Sequence, residues 1–150
     1  MPKRSRSLVG PYRSNYERRV ADFLTAYKVP FEYETKQFVF YRRRKGCAII
    51  GDETYYGPVY TEHVYTTDFW LPDQGICLEA KGRFSAGDRT KLLAVKEETP
   101  EIDLRMVLMR NNKLNRRSNT TYANWCDKHG MPYVVNVDGE IPLEWISNDK

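Results

Sequence analysis

The amino-acid sequence predicts one α/β or α+β domain in which a mixed β-sheet is flanked by helices. The first observation is the length of 150 residues, which is enough for a single domain with a sizeable apolar core. The second is the order of the expected elements, which runs helix, strands, acidic strand pair, helix, strand, helix, strand. The third is that no internal repeat or low-complexity tract breaks this order. We therefore expect a basic, flexible tail over residues 1–11 and one domain over residues 12–150.

The domain is expected to begin with a helix. Ser14-Asn15-Tyr16-Glu17 has the form of a capping box, in which Ser14 caps the helix and Glu17 reaches back to it. Apolar residues at helical spacing continue to about Lys28. Two segments rich in aromatic residues follow, and strands are expected over residues 31–34 and 37–41.

Residues 37–65 are predicted to contain a strand and an insertion. The basic run Arg42-Arg43-Arg44-Lys45 is expected to interrupt the strand that begins at Gln37. Beyond the run, the sequence indicates a hairpin-like insertion with turns at Gly51-Asp52 and Gly57-Pro58.

The second half of the chain alternates helices and strands. Apolar spacing, capping residues and turn residues predict each element in the same way. The expected elements are a helix over residues 85–98, a strand over 104–109, a helix over 121–129 closed by Gly130, a strand over 133–136, and a terminal turn over 142–146 that docks through Trp145.

The acidic strand pair lies between Thr66 and Gly82. Two short apolar runs flank the turn over residues 72–75, so this stretch predicts two strands joined by a tight loop. Alternation along the second strand places Glu79 and Lys81 on one face, opposite its apolar side chains. Asp68, at the head of the first strand, supplies a second carboxylate nearby.

Two carboxylates and a lysine at the ends of neighbouring strands suit a hard divalent cation such as Mg²⁺. Such an ion stabilises the charge that develops on a phosphate under attack, while the lysine orients or activates the water. The expected substrate is therefore a phosphodiester. The alternative is an ordinary ion pair between Glu79 and Lys81 on an exposed sheet face. A similar pattern, Glu34-Thr35-Lys36 with Asp22 upstream, is set aside because its surroundings indicate a half-solvated strand and a helix.

Glu17 is a candidate third acid. On a helical wheel it falls inside the apolar arc of the first helix, near Leu24. Its position in the capping box also explains a glutamate there without any chemistry. The helix alone leaves both roles open.

Basic residues are concentrated in a few places. The chain has 24 Lys and Arg against 20 Asp and Glu, so the overall excess is modest. Clusters on a small domain indicate a polyanion partner, with solvated loops and a charged tail as the alternative. The candidate residues for binding such a polyanion are Lys3, Arg4, Arg6, Arg13, Arg42, Arg43, Arg44, Lys45, Lys113, Arg116 and Arg117.

No stretch of the sequence is apolar enough to span a bilayer or to form a signal peptide core. The three cysteines are odd in number and lack paired spacing, which predicts reduced, packed thiols. We therefore expect a soluble protein without a membrane partner, located in the cytoplasm.

Five segments carry a resemblance to a known family. Residues 12–17, 65–72, 78–82, 121–130 and 141–146 together look like the phage T7 endonuclease I family, in the same order and over nearly the whole chain. That family comprises DNA four-way (Holliday) junction resolvases with a restriction-endonuclease-like core. The resemblance implies a structure-selective, metal-dependent endodeoxyribonuclease that leaves 5′-phosphate ends. It also implies an intertwined, domain-swapped homodimer acting on branched DNA, in which residues 37–65 form the bridging strand or insertion. If a phage encodes the protein, the expected location is the host cytoplasm.

The resemblance assigns roles to four residues. It places Glu17, Asp68, Glu79 and Lys81 in the active site, with the three acids holding two Mg²⁺ or Mn²⁺ ions. Asp68 would bridge the metals, Glu79 would complete one site, and Glu17 of the partner chain would serve the other. Thr67 and Ala80 depart from the family pattern without removing a ligand.

Other functions fit parts of the same pattern. A nuclease with the same core could act on duplex or damaged DNA as a nicking or repair enzyme. A non-catalytic DNA-binding module would use the acidic cluster as a structural ion-pair network. A structural phage protein has only the tyrosine-rich insertion in its favour.

Overall fold

The computed structural model describes residues 10–147 of the chain. Most of the predicted tail, including Lys3, Arg4 and Arg6, lies outside the described residues. The elements in chain order are α1 (Asn15–Ala26), β1 (Glu32–Tyr33), β2 (Gln37–Ile50), β3 (Glu53–Thr66), β4 (Phe69–Leu71), β5 (Ile76–Lys81), α2 (Ala86–Glu98), β6 (Asp103–Leu108), α3 (Tyr122–Lys128), β7 (Tyr133–Val135) and α4 (Leu143–Ile146). Apart from β2 and β3, these bounds match the sequence prediction to within a few residues.

A five-stranded mixed sheet forms the centre of the molecule. Its strand order is β1-β4-β5-β6-β7. The pairs β1·β4 and β4·β5 are antiparallel, whereas β5·β6 and β6·β7 are parallel. The predicted mixed sheet flanked by helices is confirmed, and β5 is its central strand.

The alternation predicted for β5 separates two apolar cores. Ile76, Leu78 and Ala80 pack with side chains of α1 on one face of the sheet. Cys77 packs with side chains of α2 and α3 on the other face. Glu79 has the same parity as Cys77 and therefore projects from this second face, near the end of the strand.

The segment from β2 to β3 corrects the sequence prediction. The basic run over residues 42–45 does not interrupt β2, which pairs with β3 without a break from Gln37↔Thr66 to Ile50↔Glu53. The turn at Gly51-Asp52 is confirmed, but Gly57-Pro58 lies inside β3. Both sequences are tolerated because each strand of a two-stranded ribbon has a free edge, where charges are solvated and a proline needs no hydrogen-bond partner.

The loop after β7 docks on α1 and so fixes the helix that carries Glu17. The Tyr16 hydroxyl donates to the Asn136 carbonyl at 2.7 Å, and Arg19 donates to the Val137 carbonyl at 2.8 Å. Gly139 has φ +72°, and a Cβ at that position would lie 2.8 Å from the Val20 nitrogen. A glycine is needed here both for the backbone conformation and for the close approach.

Gly139→Ala is expected to lower the free energy of unfolding by about 3 kcal/mol, since it adds a clash to the cost of a positive φ. Gly75→Ala is the matched control, because Gly75 has φ +69° but nothing within 4 Å of an added Cβ. That control is expected to cost only about 1 kcal/mol. Urea denaturation measures both variants, and equal losses would show that contact with α1 does not contribute.

Within the described residues, no helix is long and apolar enough to cross a membrane. Two of the three thiols are packed as predicted, since Cys77 and Cys126 are buried. Cys47 lies on the ribbon and is exposed, which corrects the prediction for that residue.

Candidate active site

The four residues predicted to carry the chemistry line one cleft. Its volume is about 510 Å³. Glu17 enters it from α1, Asp68 from the residue before β4, and Glu79 and Lys81 from the end of β5. The other lining residues are Arg13, Glu34, Gln37, Val64, Tyr65, Thr66, Asp88, Lys91 and Leu92. A single chain therefore brings all three predicted acids and the lysine to the same cleft.

Asp68 and Glu79 are held against each other by the pairing of β4 and β5. The Ala80 amide donates to Asp68 Oδ2 at 3.0 Å, and the Asp68 amide donates to Glu79 Oε1 at 3.2 Å. The buried Tyr65 hydroxyl also donates to Glu79 Oε1. Each carboxyl group is thus anchored through one oxygen by the backbone of the other strand.

Glu79 is only 3% exposed. Its nearest cation is Lys81, with 3.9 Å between Glu79 Oε2 and Lys81 Nζ. The alternative of an ion pair on an exposed sheet face is therefore wrong, because the carboxylate is buried inside the cleft. A buried carboxylate that faces other acids is costly to maintain and is typical of functional sites.

Glu17 is buried, and its carboxylate has a hydrogen-bond partner outside the cap of α1. Ser14 Oγ accepts the Glu17 amide at 3.1 Å, which confirms Ser14 as the N-cap of α1. The Glu17 carboxylate, however, accepts a hydrogen bond from the Tyr33 hydroxyl of β1. This contact holds the side chain at the edge of the cleft, where its negative charge acts on both Asp68 and Lys81.

Lys81 bridges the acids of β5 and α2. Its Nζ lies 3.8 Å from Asp88 Oδ1 as well as near Glu79. Asp88 also closes the capping box of α2, in which the Asp88 amide donates to Ser85 Oγ and the Ser85 amide donates back to Asp88. The start of α2 therefore fixes a carboxylate that orients the lysine.

Asp68 and Glu79 both have a raised pKa. Burial raises the pKa of Asp68 to about 9, and repulsion from Glu79 and Glu17 adds to this effect. Burial also raises the pKa of Glu79, although the Tyr65 hydroxyl and Lys81 act in the opposite direction. The Asp68 amide donates to Glu79 Oε1, so the two residues are linked through the backbone. Without an added cation, the pair therefore retains a proton at neutral pH.

Lys81 remains an ammonium ion. Burial lowers its pKa, but the combined attraction of the surrounding carboxylates, led by Glu79 and Asp68, is larger, and the net pKa is raised. A protonated lysine donates hydrogen bonds and stabilises negative charge, but it is a poor base.

Asp68→Asn is expected to stabilise the metal-free protein at pH 8 by roughly 2 kcal/mol, or about 5 °C in melting temperature. The folded carboxyl has a pKa of about 9 against an ordinary value of 3.8, so it favours folding at low pH. That contribution is lost as the pH rises from about 4 to about 9, whereas the amide that replaces the carboxyl group does not titrate.

Thermal melts in EDTA between pH 5 and pH 9 measure this effect. The difference in melting temperature between wild type and Asp68→Asn should increase with pH. The difference between wild type and Asp73→Asn, a change in the exposed β4–β5 turn, should stay constant. Parallel pH profiles for wild type and Asp68→Asn would contradict the proposed burial of this carboxyl group.

The predicted basic residues occupy separate parts of the surface. Arg13 lines the cleft and forms a salt bridge with Glu34, with Nε 2.7 Å from Oε1. The run over residues 42–45 lies on β2. Lys113, Arg116 and Arg117 are exposed on the loop between β6 and α3. Of these residues, only Arg13 contributes directly to the cleft.

Several cleft residues were not predicted from the sequence. Glu34 had been set aside with the second acidic pattern, yet it lines the cleft beside Arg13. Tyr33, Tyr65 and Asp88 contact the predicted acids and lysine from other elements. The Ser85-to-Asp88 capping spacing was the one local signal that could have drawn attention to Asp88.

The site offers carboxylate oxygens, which are the ligands that Mg²⁺ and Mn²⁺ prefer. Burial and the neighbouring acids Glu79 and Glu17 raise the pKa of Asp68, and a divalent cation would favour the ionised form of this carboxyl group. Within residues 10–147, no three His, Cys, Asp or Glu side chains are already arranged around one ion position. The residues fit a cation chemically, and the complete ligand set stays a prediction.

Acids from a helix and two strands that converge with a lysine in an α+β fold indicate the class of phosphodiester hydrolases. The family described as Phage endonuclease I matches residues 1–150. Endonuclease I of Escherichia phage T7 is 36% identical over 143 residues, which cover 95% of this chain and 83% of that protein. Endodeoxyribonuclease 1 of Enterobacteria phage T3 is 32% identical over 140 residues, covering 93% and 79%. The chain belongs to the phage endonuclease I family.

Proposed function

We propose that this chain is a structure-selective DNA endonuclease that resolves four-way (Holliday) and other branched junctions by Mg²⁺-dependent hydrolysis. The observation that supports the proposal best is the convergence of Glu17, Asp68, Glu79 and Lys81 in one cleft. One relative is named an endodeoxyribonuclease, which supports DNA as the substrate. The products are expected to carry 5′-phosphate ends, and the enzyme is expected to act in the host cytoplasm.

Asp68 and Glu79 would hold the cation, with Glu17 as a further ligand and up to two Mg²⁺ or Mn²⁺ ions per site. A bound cation supplies charge that polarises the phosphate and lowers the pKa of bound water. The Tyr65 and Ala80 hydrogen bonds fix the two strand carboxyls before any ion arrives. Such preorganisation reduces the rearrangement needed during the reaction.

Lys81 is proposed to orient water and to stabilise negative charge on the phosphate. Its raised pKa favours this role over that of a general base. Asp88 and Glu79 hold the ammonium from two sides, which limits its motion within the cleft. Arg13, at the cleft wall, is placed to bind a neighbouring phosphate once its contact with Glu34 is exchanged.

The active enzyme is proposed to be a homodimer in which chains share their active sites. A four-way junction has approximate two-fold symmetry, so a two-fold dimer can present two clefts to paired strands. In the described chain, β1, β2 and β3 connect the helix that carries Glu17 to Asp68 of the same cleft. Exchange of α1 and β1 between two chains would recreate the same contacts across the dimer, as in other domain-swapped proteins.

Specificity would come from branch shape rather than base sequence. Basic side chains such as Lys113, Arg116 and Arg117 neutralise phosphates without identifying bases. Binding should weaken with salt by roughly 0.9 log units per neutralised phosphate for each decade of salt concentration.

Cleavage of a four-way junction and of a linear duplex with the same sequences tests the selectivity. In Mg²⁺ at low salt, we expect incision near the branch point at least tenfold faster than duplex cutting. Equal rates would indicate a nicking or repair nuclease of the same family. If the protein binds the junction but does not cut it at any Mg²⁺ concentration, the result would indicate a non-catalytic DNA-binding module.

A further inference from the structure

The outer part of the β2–β3 ribbon has no structural role in either core. We define the arm as residues 41–60, which comprise the end of β2, the turn and the start of β3. Apart from Arg42 and Val59, which are half-buried, every residue of the arm is exposed. Ile49 and Tyr56 are 74% and 85% exposed. A two-stranded ribbon of this kind is marginal in water by itself, so it is expected to gain stability from a partner.

Four consecutive cations lie in the stem of the arm, close to its base. Arg42, Arg43, Arg44 and Lys45 pair across the ribbon with Thr61, Tyr60, Val59 and Pro58. No carboxylate therefore stands directly opposite any of them. Within the described part of the chain, none of the four forms a salt bridge. The arm thus presents positive charge that the protein itself leaves uncompensated.

The spacing of these cations suits the phosphates of a DNA duplex. Four strand residues span about 10 Å, and phosphates on one DNA strand recur about every 3.4 Å along the helix axis. The run therefore covers roughly three phosphates. Alternation places two of the four cations on each face of the ribbon, so both faces of the ribbon carry positive charge along β2.

The arm is continuous with the active-site cleft. Gln37, the first residue of β2, lines the cleft. At about 3.3 Å per residue, Arg42 lies about 16 Å and Lys45 about 26 Å farther along the strand. Along a duplex, these distances correspond to about five to eight base pairs.

We propose that the arm binds the phosphate backbone of duplex DNA about five to eight base pairs from the bond that is cut. This inference rests on the proposed function and adds the contact by which the enzyme holds a helical arm of its substrate. The acidic residues Asp52 and Glu53 confine the contact to the stem of the arm, because they repel phosphate at the tip. Tyr41 precedes the cations on β2 and Tyr60 pairs with Arg43; both rings are exposed and can pack against deoxyribose.

A second copy of the chain fits this surface less well. The exposed apolar side chains could pair between two arms, but each arm carries four consecutive cations and only two acids, Asp52 and Glu53, so a second arm could not neutralise all of the positive charge. DNA supplies the missing negative charge directly. Charge complementarity therefore favours the nucleic acid.

The test combines Arg43→Gln, Arg44→Gln and Lys45→Gln in the full chain. Binding of a four-way junction is measured by fluorescence anisotropy in EDTA over a range of KCl concentrations. The slope of log affinity against log salt should decrease by about 2 to 3, because that many phosphate contacts are lost. Lys128→Gln, on the exposed end of α3, is the matched control and should leave the slope unchanged.

A second pair of probes locates the contact. Wild type should bind junctions with arms of about 20 base pairs at least tenfold more tightly than junctions with arms of about 4 base pairs, and the triple variant should lose this preference.

An unchanged salt slope, or an unchanged preference for long arms, would overturn the inference. So would a triple variant that keeps its slope but changes its oligomeric state in analytical ultracentrifugation, because the arm would then be an interface between copies. The binding measurements need no Mg²⁺ and no catalysis. If wild type fails to cut junctions, that result contradicts the proposed function. The DNA contact of the arm is then still tested by the salt dependence of binding.

Discussion

Glu79→Gln and Asp68→Asn are each expected to reduce junction incision by about a thousandfold or more while junction binding survives. Each change removes a carboxyl group that can ionise to hold a cation, but it preserves the size of the side chain and an oxygen acceptor. The hydrogen bonds from Tyr65 to Glu79 and from Ala80 to Asp68 can therefore persist in the variants. A loss of this size corresponds to about 4 kcal/mol of transition-state stabilisation, as expected when the charge that holds a catalytic cation is removed.

Single-turnover cleavage and anisotropy binding of the same junction measure the two properties separately. Asp73→Asn, in the exposed turn, should cut at the wild-type rate and serves as the control. The combination of lost activity with a gain in metal-free stability for Asp68→Asn would be characteristic of a functional rather than a structural carboxylate. Loss of folding and of binding together would instead show that the acids support the fold.

A mixture of Glu17→Gln and Asp68→Asn proteins is expected to recover roughly a quarter of wild-type activity, although each variant alone is inactive. Random exchange makes half of the dimers mixed, and in a shared arrangement one of the two sites in each mixed dimer receives neither substitution. If Glu17 serves the Asp68 of its own chain, every site in the mixture carries one defect and activity stays near zero.

The experiment requires dissociation and reassociation of the two proteins, for example by joint refolding from urea. Mixing Glu79→Gln with Asp68→Asn is the control, because both residues lie on the same side of the exchanged segment and no complete site forms by exchange. Recovery in the first mixture alone would support the shared dimer. Equal recovery in both mixtures would contradict it.

The sequence predicted the parts of the site that local patterns control. Alternation along β5 placed Glu79 and Lys81 opposite the apolar face, and that arrangement is confirmed by the two separate cores. The wheel of α1 placed Glu17 toward the interior, and the structure buries it. These inferences succeed because strand and helix periodicities act over a few residues.

Other features depend on contacts between distant segments. The unbroken pairing of β2 with β3 was missed because the basic run and Gly57-Pro58 are unfavourable for a strand buried in a sheet, whereas a solvated ribbon accepts both. The contacts of Tyr33 and Tyr65 with the acids join elements that are separate in sequence. No local pattern distinguishes a tyrosine that anchors a carboxylate from one that only fills the core.

The central claim is that the cleft lined by Glu17, Asp68, Glu79 and Lys81 is a metal-dependent centre for cutting branched DNA. The most direct measurement is the incision of one four-way junction at low salt, with Mg²⁺ or with EDTA, at two enzyme concentrations. We expect cutting near the branch point only with Mg²⁺, at a rate that rises with dimer concentration. A junction that stays intact with Mg²⁺, or that is cut equally well in EDTA, would contradict the claim.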